Sequence, residues 1–571
     1  MQRIEEEPAP KRPQSGLAGA FGRLFGEGKA KDLGKDFLEK RRLGSKVASA
    51  KAIYSLTAGI AWVGLFISWT EPLKYGWGSY IISFVIGSAM IWLQAFANAE
   101  MTAAFPFTGG QTTWGTAAFG SIGGVIMGQL DMVYWILTVA AYQGGCGRYT
   151  ARLLGFATDT AFMPIVWLIY LVLVNILMNL TVKWSFHTMV AFMVFAWSFY
   201  AAWFFSTVPS TNFSTNIANG GLSATDLLDS GNQSLLKSLT NVSVVGVIQA
   251  LPYVVWFYGG YEAAPLAAEE AVDIRTSIPK VTYWMISTLG IGGFLSILIA
   301  PAALPGLVAI SNTPRPNWTN LESAWSVTGS SDPKFRLLAF LMMPMEVLGL
   351  MGAMYACSRS IYANSRAGYI PTSLSITSKS GAPYISMIFI TLFSFVVNIA
   401  FSYAGDDDIA HAFSRSFEQL TVFLILVYEC CGNFLKQLIF LRLRYRMPTL
   451  PRPFKAPLSI VGASISAILL GITVVSMITF QKHVWLLLII FGCHIAFATV
   501  LYVVFVKSRL LLTPEKVFLR EQLDYMFNRD TSRNSGQNST GQKSGADKRR
   551  ARSGTNIGNS TKLPTLPSSP V

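Results

Sequence analysis

Leu251-Pro252-Tyr253-Val254-Val255-Trp256-Phe257-Tyr258-Gly259-Gly260-Tyr261-Glu262-Ala263-Ala264-Pro265 begins as an apolar helix and does not continue as one. Two glycines, a carboxylate and a proline interrupt it in quick succession. Glycine has little helix preference, and proline removes a donor and clashes with the carbonyl one turn back. An unwound stretch near 258–262 is therefore expected. Unwinding offers backbone carbonyls to an ammonium group, and Glu262 adds a full charge beside them. The bland alternative is a packing glycine pair with a glutamate that snorkels to the surface.

The rest of the chain decides how much such a break means. Of 571 residues, 52% are hydrophobic and only 13% charged, about half the charge of a soluble domain. That excludes a soluble multidomain enzyme. A helical crossing of a hydrocarbon core of about 30 Å takes about 20 mostly apolar residues. Twelve such runs stand at 53–72, 79–104, 122–147, 162–181, 185–206, 244–267, 281–300, 335–360, 384–403, 414–441, 457–480 and 484–506. Strand alternation is absent, so the expectation is an all-α multi-pass membrane protein of 12 transmembrane helices in a lipid bilayer, and not a barrel. The start, Met1-Gln2-Arg3-Ile4-Glu5-Glu6-Glu7, has no apolar core and is not a signal peptide.

The net charge of +15 is unevenly spread. Residues 1–51 and 507–571 each hold twelve Lys/Arg. With the N-terminus inside, twelve more fall on the same face: Lys183, Arg275, Lys280, Arg359, Arg366, Lys379, Lys436, Arg442, Arg444, Arg446, Arg452 and Lys455. Nine face the other way. The excess is an orientation signal that predicts both termini cytoplasmic, in a plasma membrane or endomembrane, and no groove between the tails reads as a nucleic-acid site. Asn-x-Ser/Thr acceptors agree, since Asn212, Asn232, Asn241 and Asn317 lie in the loops assigned outside. Chance matches are the alternative reading, because Asn538 and Asn559 carry the tripeptide in the basic tail. Residues 1–50 and 507–571 read as basic cytoplasmic tails, mostly disordered, around a permease-like body over 51–506.

Function should reside where an expensive residue or a broken helix sits at membrane depth. The sixth run has the strong break. The first, Thr57 to Pro72, has a weaker one, expected near Ile67-Ser68-Trp69-Thr70. Runs 1 and 6 are equivalent if the first ten form two repeats of five, and paired interruptions in corresponding helices point to an inverted-repeat transporter.

Four groups of residues, in order, resemble the amino acid/polyamine/organocation (APC) permease family. Asn98-Ala99-Glu100, Pro106, Thr108-Gly109-Gly110 and Phe119-Gly120 are similar to its second-crossing pattern. Gly260-Tyr261-Glu262, Ala268-Glu269-Glu270 and Ser277-Ile278-Pro279 resemble its sixth-crossing signature. Ser358-Arg359-Ser360-Ile361-Tyr362-Ala363 with Arg366-Ala367-Gly368-Tyr369 is similar to the loop after crossing 8, nearest the ethanolamine-permease branch. Pro451-Arg452-Pro453-Phe454 resembles the motif before crossing 11. The resemblance covers about 50–506. It implies a five-plus-five inverted-repeat (LeuT-like) fold with two added C-terminal helices, and secondary transport of amino acids or small amines. One departure matters: the family's glycine-rich first break, whose amides hold a substrate carboxylate, is occupied here by Ser68 and Trp69.

The substrate-binding candidates are Ser68, Trp69, Trp256, Tyr258, Gly259, Gly260, Tyr261 and Glu262, with Trp256, Phe257, Tyr258 and Tyr261 beside the break as a cation-π cage for an ammonium. Asp131 and Glu346 are candidates for a coupling proton or sodium; a carboxyl hydrogen-bonded inside the bundle is the alternative for Glu346. Glu418 and Glu429 lie on one face of crossing 10 and line a pathway or pack against Lys436. Glu100, Glu269, Glu270, Arg359 and Arg366 read as a gate-like ion-pair cluster or as solvated loop charges. Five scattered cysteines and four single histidines give no disulfide framework, metal site or cofactor site. The leading function is a transporter. A non-transporting or weakly transporting nutrient sensor with the same fold is the alternative, and an enzyme is disfavoured.

Overall fold

The computed structural model describes residues 40–44, 46–67, 69–156, 162–403, 407–480, 484–507 and 517–518, with backbone alone for the helical residues in 401–422 and at 484 and 486. Ser68 and nearly all of both tails lie outside the described residues. Among the described residues sixteen helices organise the chain. They are α1 Ala50–Trp62, α2 Trp77–Ala104, α3 Gly110–Phe119, α4 Ser121–Leu154, α5 Met163–Leu180, α6 Val182–Thr207, α7 Ser230–Thr240 and α8 Val244–Trp256. Then follow α9 Ile274–Ala302, α10 Leu307–Ser311, α11 Pro316–Ala324, α12 Pro333–Arg366, α13 Tyr384–Tyr403, α14 Asp407–Arg446, α15 Ser459–Phe480 and α16 Val484–Leu501. Among the described residues there is no strand, only an isolated bridge between Ala48 and Ala271.

Among the described residues ten segments are long and apolar enough to cross a membrane, while Ala50–Leu65 and Tyr384–Ala400 are apolar but shorter. Every predicted run coincides with a helix. The first is truncated: α1 stops at Trp62, a 3-10 turn covers Val63–Leu65, and a second, Glu71–Tyr75, leads straight into α2. The departure from α geometry therefore starts about five residues before the predicted break. Ending a helix orphans its last carbonyls; the Tyr142 hydroxyl on α4 donates to the Ile60 carbonyl.

Helices α4 and α12 share the most extensive contact in the bundle, and α2 packs against α8, α9 and α15. Helix α14 touches α2, α3, α4 and α8. The broken sixth segment is thus bordered by helices of different sequence origin. Large aromatic side chains fill these contacts: Trp62, Trp114, Trp135 and Trp203 are each at most 1% exposed. The outward faces of α5, α13, α15 and α16 carry exposed Ile, Leu, Val and Phe, as lipid-facing surfaces require. Cys146, Cys357 and Cys430 are buried, in keeping with their apolar contexts, whereas Cys493 is exposed.

Candidate functional site

The break in the sixth segment is built from sequence-local causes. Ser243 caps α8, its Oγ accepting the Gly246 N–H at 3.0 Å. The helix absorbs Pro252 and ends at Trp256. The chain then tightens: Phe257, Tyr258 and Gly259 donate to the carbonyls of Val254, Val255 and Trp256 at 3.2, 3.0 and 3.3 Å. Tyr261 and Ala263 likewise donate to Tyr258 and Gly260. Turns of this kind occupy most of the carbonyls that unwinding frees, so the backbone is less available than the sequence suggested. Gly260 has φ +118°, and a Cβ there would stand 2.8 Å from the Thr57 carbonyl oxygen. Only glycine meets both demands. A 3-10 helix, Tyr261–Ala267, carries the chain onward.

Glu262 opens that 3-10 helix. Its Oε1 lies 3.5 Å from Lys436 Nζ, with the two side chains 6% and 5% exposed, and its Oε2 accepts the Gly260 N–H at 3.2 Å. Lys436 also sits 5.7 Å from the centroid of the Tyr261 ring, and the Tyr261 hydroxyl donates to Asn433 Oδ1 at 3.1 Å. This corrects the assignment of Lys436 to the charged face of the membrane. It is buried inside α14 as the counter-charge of the broken helix. The signal was present in the spacing of Glu429, Asn433, Lys436 and Gln437, which at i, i+4, i+7 and i+8 share one helix face. Glu429 lies two turns from Lys436, where a Cβ on Gly259 would approach its Oε1 to 3.2 Å; that oxygen is buried without a hydrogen-bond partner. The side chain of Glu418 lies outside the described residues.

The aromatic candidates do not converge on one point. The Tyr258 hydroxyl donates to Ser88 Oγ on α2 at 2.7 Å, and its ring stacks on Phe84 with centroids 6.3 Å apart. Trp69 is fully buried; its indole N–H donates to the Leu65 carbonyl at 3.0 Å, and its ring lies 6.0 Å from Phe257. Trp256 turns toward the first break, its Nε1 3.2 Å from where a Cβ on Gly64 would stand. Of the four, Tyr261 alone faces Lys436.

A small cavity beside the 3-10 helix is lined by Asn98, Gln111, Trp114, Asp131, Glu262 and Lys436, among others. Asp131 thereby joins Glu262. Its Oδ1 accepts the Trp135 indole N–H at 2.9 Å, and Ser360 and Gln111 also face the carboxylate. Glu346 does not join them. It is buried on α12 against α4, its Oε2 crowding Gly145 so closely that a Cβ would come within 2.3 Å.

The predicted ion-pair cluster resolves into separate pairs. Glu270 and Arg359 meet at 2.9 Å, both fully buried; the Tyr355 hydroxyl donates to the same carboxylate, and the guanidinium lies 3.8 Å from the Tyr355 ring centroid. Glu269 and Arg366 meet at 2.5 Å, with Glu269 also accepting the Thr108 N–H at 3.1 Å. Burial pushes the Glu269 carboxyl up, and the Arg366 charge and hydrogen bonds more than offset it, leaving it below the usual 4.5. Glu100 belongs elsewhere. It pairs with Arg444 at 2.7 Å and Arg452 at 3.2 Å and accepts the Ala456 N–H at 2.8 Å, tying α2 to the α14–α15 connection. The segment before α1 crosses this region: Val47 and Ala48 donate to the Glu270 carbonyl at 3.0 and 2.9 Å, and Arg41 donates to Ser375 Oγ at 2.9 Å.

Asn212 and Asn241 are exposed, and Asn232 is half-buried. Asn317 is fully buried with its Nδ2 donating to Ser296 Oγ at 3.3 Å. That leaves no room for a glycan, which removes it from the acceptor set. Among the described residues no group of His, Cys, Asp and Glu has a metal-binding arrangement.

This geometry, a broken helix bearing a buried ion pair within an apolar bundle, is that of a membrane permease, and comparison with known proteins agrees. The profile of the amino acid permease family matches residues 49–504, so the chain belongs to that family, within the APC permeases. It is 25% identical to an S-adenosylmethionine permease of Candida albicans over 26% of this chain, and spans only 24% of that relative. It is 22% identical to a gamma-aminobutyric acid permease of Escherichia coli over 64% of this chain and 75% of the relative. A probable polyamine transporter of Arabidopsis thaliana is 22% identical over 67% and 71%.

Proposed function

We propose that this chain is a secondary transporter of amino acids or small amines. It works by alternating access through a five-plus-five inverted repeat with two added helices, both termini cytoplasmic, in a plasma membrane or endomembrane. The observation that carries this reading is the buried Glu262 at the break of the sixth segment, compensated by a lysine from another helix. Even a paired charge is costly to desolvate, and a carboxylate held at this depth by a single long contact of 3.5 Å suits a charge that comes and goes. The named relatives handle compounds that carry at least one ammonium group, which suits a carboxylate acceptor. Asp131, lining the same cavity, is the candidate for a coupling proton or sodium; Glu346, against Gly145 of α4, is the second. The Glu270–Arg359 and Glu269–Arg366 pairs close the path on the side where the N-terminal segment crosses.

Uptake of labelled amino acids, ethanolamine, choline and polyamines into proteoliposomes, with and without a proton or sodium gradient, tests the proposal. Saturable, gradient-dependent uptake of one class supports it. Binding without flux favours the sensor.

A further inference from the structure

We infer that the segment before α1 is a strap whose release admits passage on its face of the bundle, and that Arg41 is the residue that latches it. This rests on the transport reading above and adds a moving part to it. The strap crosses a seam. On one side its later residues run with the broken sixth segment: Val47 and Ala48 donate to the Glu270 carbonyl, Val272 donates back to the Ala48 carbonyl at 3.0 Å, and Ala48 bridges Ala271. On the other side its earlier residues hold the loop after α12. Arg41 donates through Nε and Nη2 to the Thr372 carbonyl at 3.3 and 3.0 Å, and through Nε to Ser375 Oγ. The Thr377 N–H donates to the Lys40 carbonyl at 3.0 Å, and the Gly44 N–H to the Gly381 carbonyl at 3.3 Å.

The two buried ion pairs lie across the same seam. Glu269 and Glu270 follow the 3-10 helix of the sixth segment, whereas Arg359 and Arg366 belong to α12. Parting the sixth segment from α12 therefore breaks both pairs and must also lift the strap from one side. A shared hydroxyl links these events: Arg366 donates to Tyr362 Oη at 2.8 Å, and the Tyr362 hydroxyl donates in turn to the Arg41 carbonyl. The earlier half of the strap is the side that can lift. Among its described side chains Leu43 alone is buried, and its remaining ties are hydrogen bonds that water replaces at small net cost. The later half runs directly into α1, with Ala48 fully buried, and stays with the broken segments.

The test locks the strap on the full-length protein. A Cβ on Gly44 would stand 3.4 Å from the Ser380 carbonyl oxygen, so Gly44→Cys and Ser380→Cys together can be joined by mild oxidation. Uptake of labelled serine, 4-aminobutyrate, ethanolamine and putrescine is measured in proteoliposomes before oxidation, after it, and after reduction. The unaltered protein is oxidised in parallel, because it has five cysteines of its own. The expected result is a loss of at least about tenfold on linking, restored by reduction and absent from the unaltered protein. A second arm needs no substrate and no cysteine: Arg41→Ala, which removes the side-chain ties to Thr372 and Ser375, is expected to speed tryptic cleavage after Arg42 at least about fivefold. A linked protein, verified by mass spectrometry of the joined peptides, that carries any of these compounds as fast as the reduced one overturns the inference. So does unchanged cleavage in folded Arg41→Ala. If the unaltered protein carries none of the compounds, the transport reading itself falls and the inference with it, an outcome distinct from equal uptake by linked and reduced protein.

Discussion

Glu262 and Lys436 face each other at 3.5 Å inside the bundle, joining the first residues of the 3-10 helix after the sixth-segment break to the middle of α14. Each makes the other's burial tolerable. The long separation and the single contact leave Lys436 poorly held compared with Arg359, which donates two bonds to Glu270 at 2.9 and 3.3 Å. The two buried pairs thus differ: Arg359 is held by two hydrogen bonds to one carboxylate, Lys436 by a single longer contact.

Removing one member of the looser pair strands a buried charge, which costs about 3–5 kcal/mol. Glu262→Gln and Lys436→Met are each expected to lower the thermal midpoint in detergent. The double variant is expected to be more stable than either single variant, because it strands nothing. A double-variant loss equal to the sum of the two single losses is the result that the ion-pair account does not allow.

Gly260 is constrained twice, by φ +118° and by the Thr57 carbonyl 2.8 Å from the place a Cβ would take. Gly260→Ala is expected to cost about 1–3 kcal/mol from backbone strain alone, more once the contact with α1 is included. At Gly259 the nearest atom is the end of the Glu429 side chain at 3.2 Å, which can move. Gly259→Ala should therefore fold well enough for size-exclusion analysis and a thermal melt, with Gly260→Ala clearly the worse of the two.

The Glu269–Arg366 contact has a defined pH signature. The folded carboxyl titrates below its usual 4.5, so its contribution is fully present above that value and is lost as pH falls through the lower, folded value. Thermal stability attributable to the pair, measured as the difference between the unaltered protein and Glu269→Gln, is expected to be flat from about pH 5 to 8 and to shrink below about pH 4.5. A difference that shrinks between pH 6 and 8 would show that another group governs the contact.

In a host that glycosylates, joint replacement of Asn212, Asn232 and Asn241 by Gln is expected to abolish an endoglycosidase-sensitive mobility shift, and Asn317→Gln to leave it intact. A shift that depends on Asn317 would contradict the burial of that side chain against Ser296.

The membrane-crossing helices were legible because a run of about 20 apolar residues has few other uses, and the break at Gly259-Gly260 because glycine and proline act locally. The placement of Glu262 was likewise readable. What escaped was long-range. Lys436 lies 174 residues from Glu262, and charge counting assigned it to the membrane surface because a lone lysine near an apolar run resembles a boundary residue. Glu100 was grouped with Arg359 and Arg366 by end-of-helix position, whereas packing gives it Arg444 and Arg452. The aromatic residues near the break were read as one cage, but a tight turn rotates successive side chains apart, sending Tyr258 to α2 and Tyr261 to α14.

Uptake into proteoliposomes by the unaltered protein and by Glu262→Gln, on the same panel of amino acids and amines, tests the central claim most directly. Substrate binding at Glu262 predicts saturable uptake of at least one ammonium-bearing compound, and an apparent affinity at least about tenfold weaker in the variant. Uptake that is unchanged in a folded Glu262→Gln protein would show that the carboxylate at the broken helix is structural, and would contradict the account.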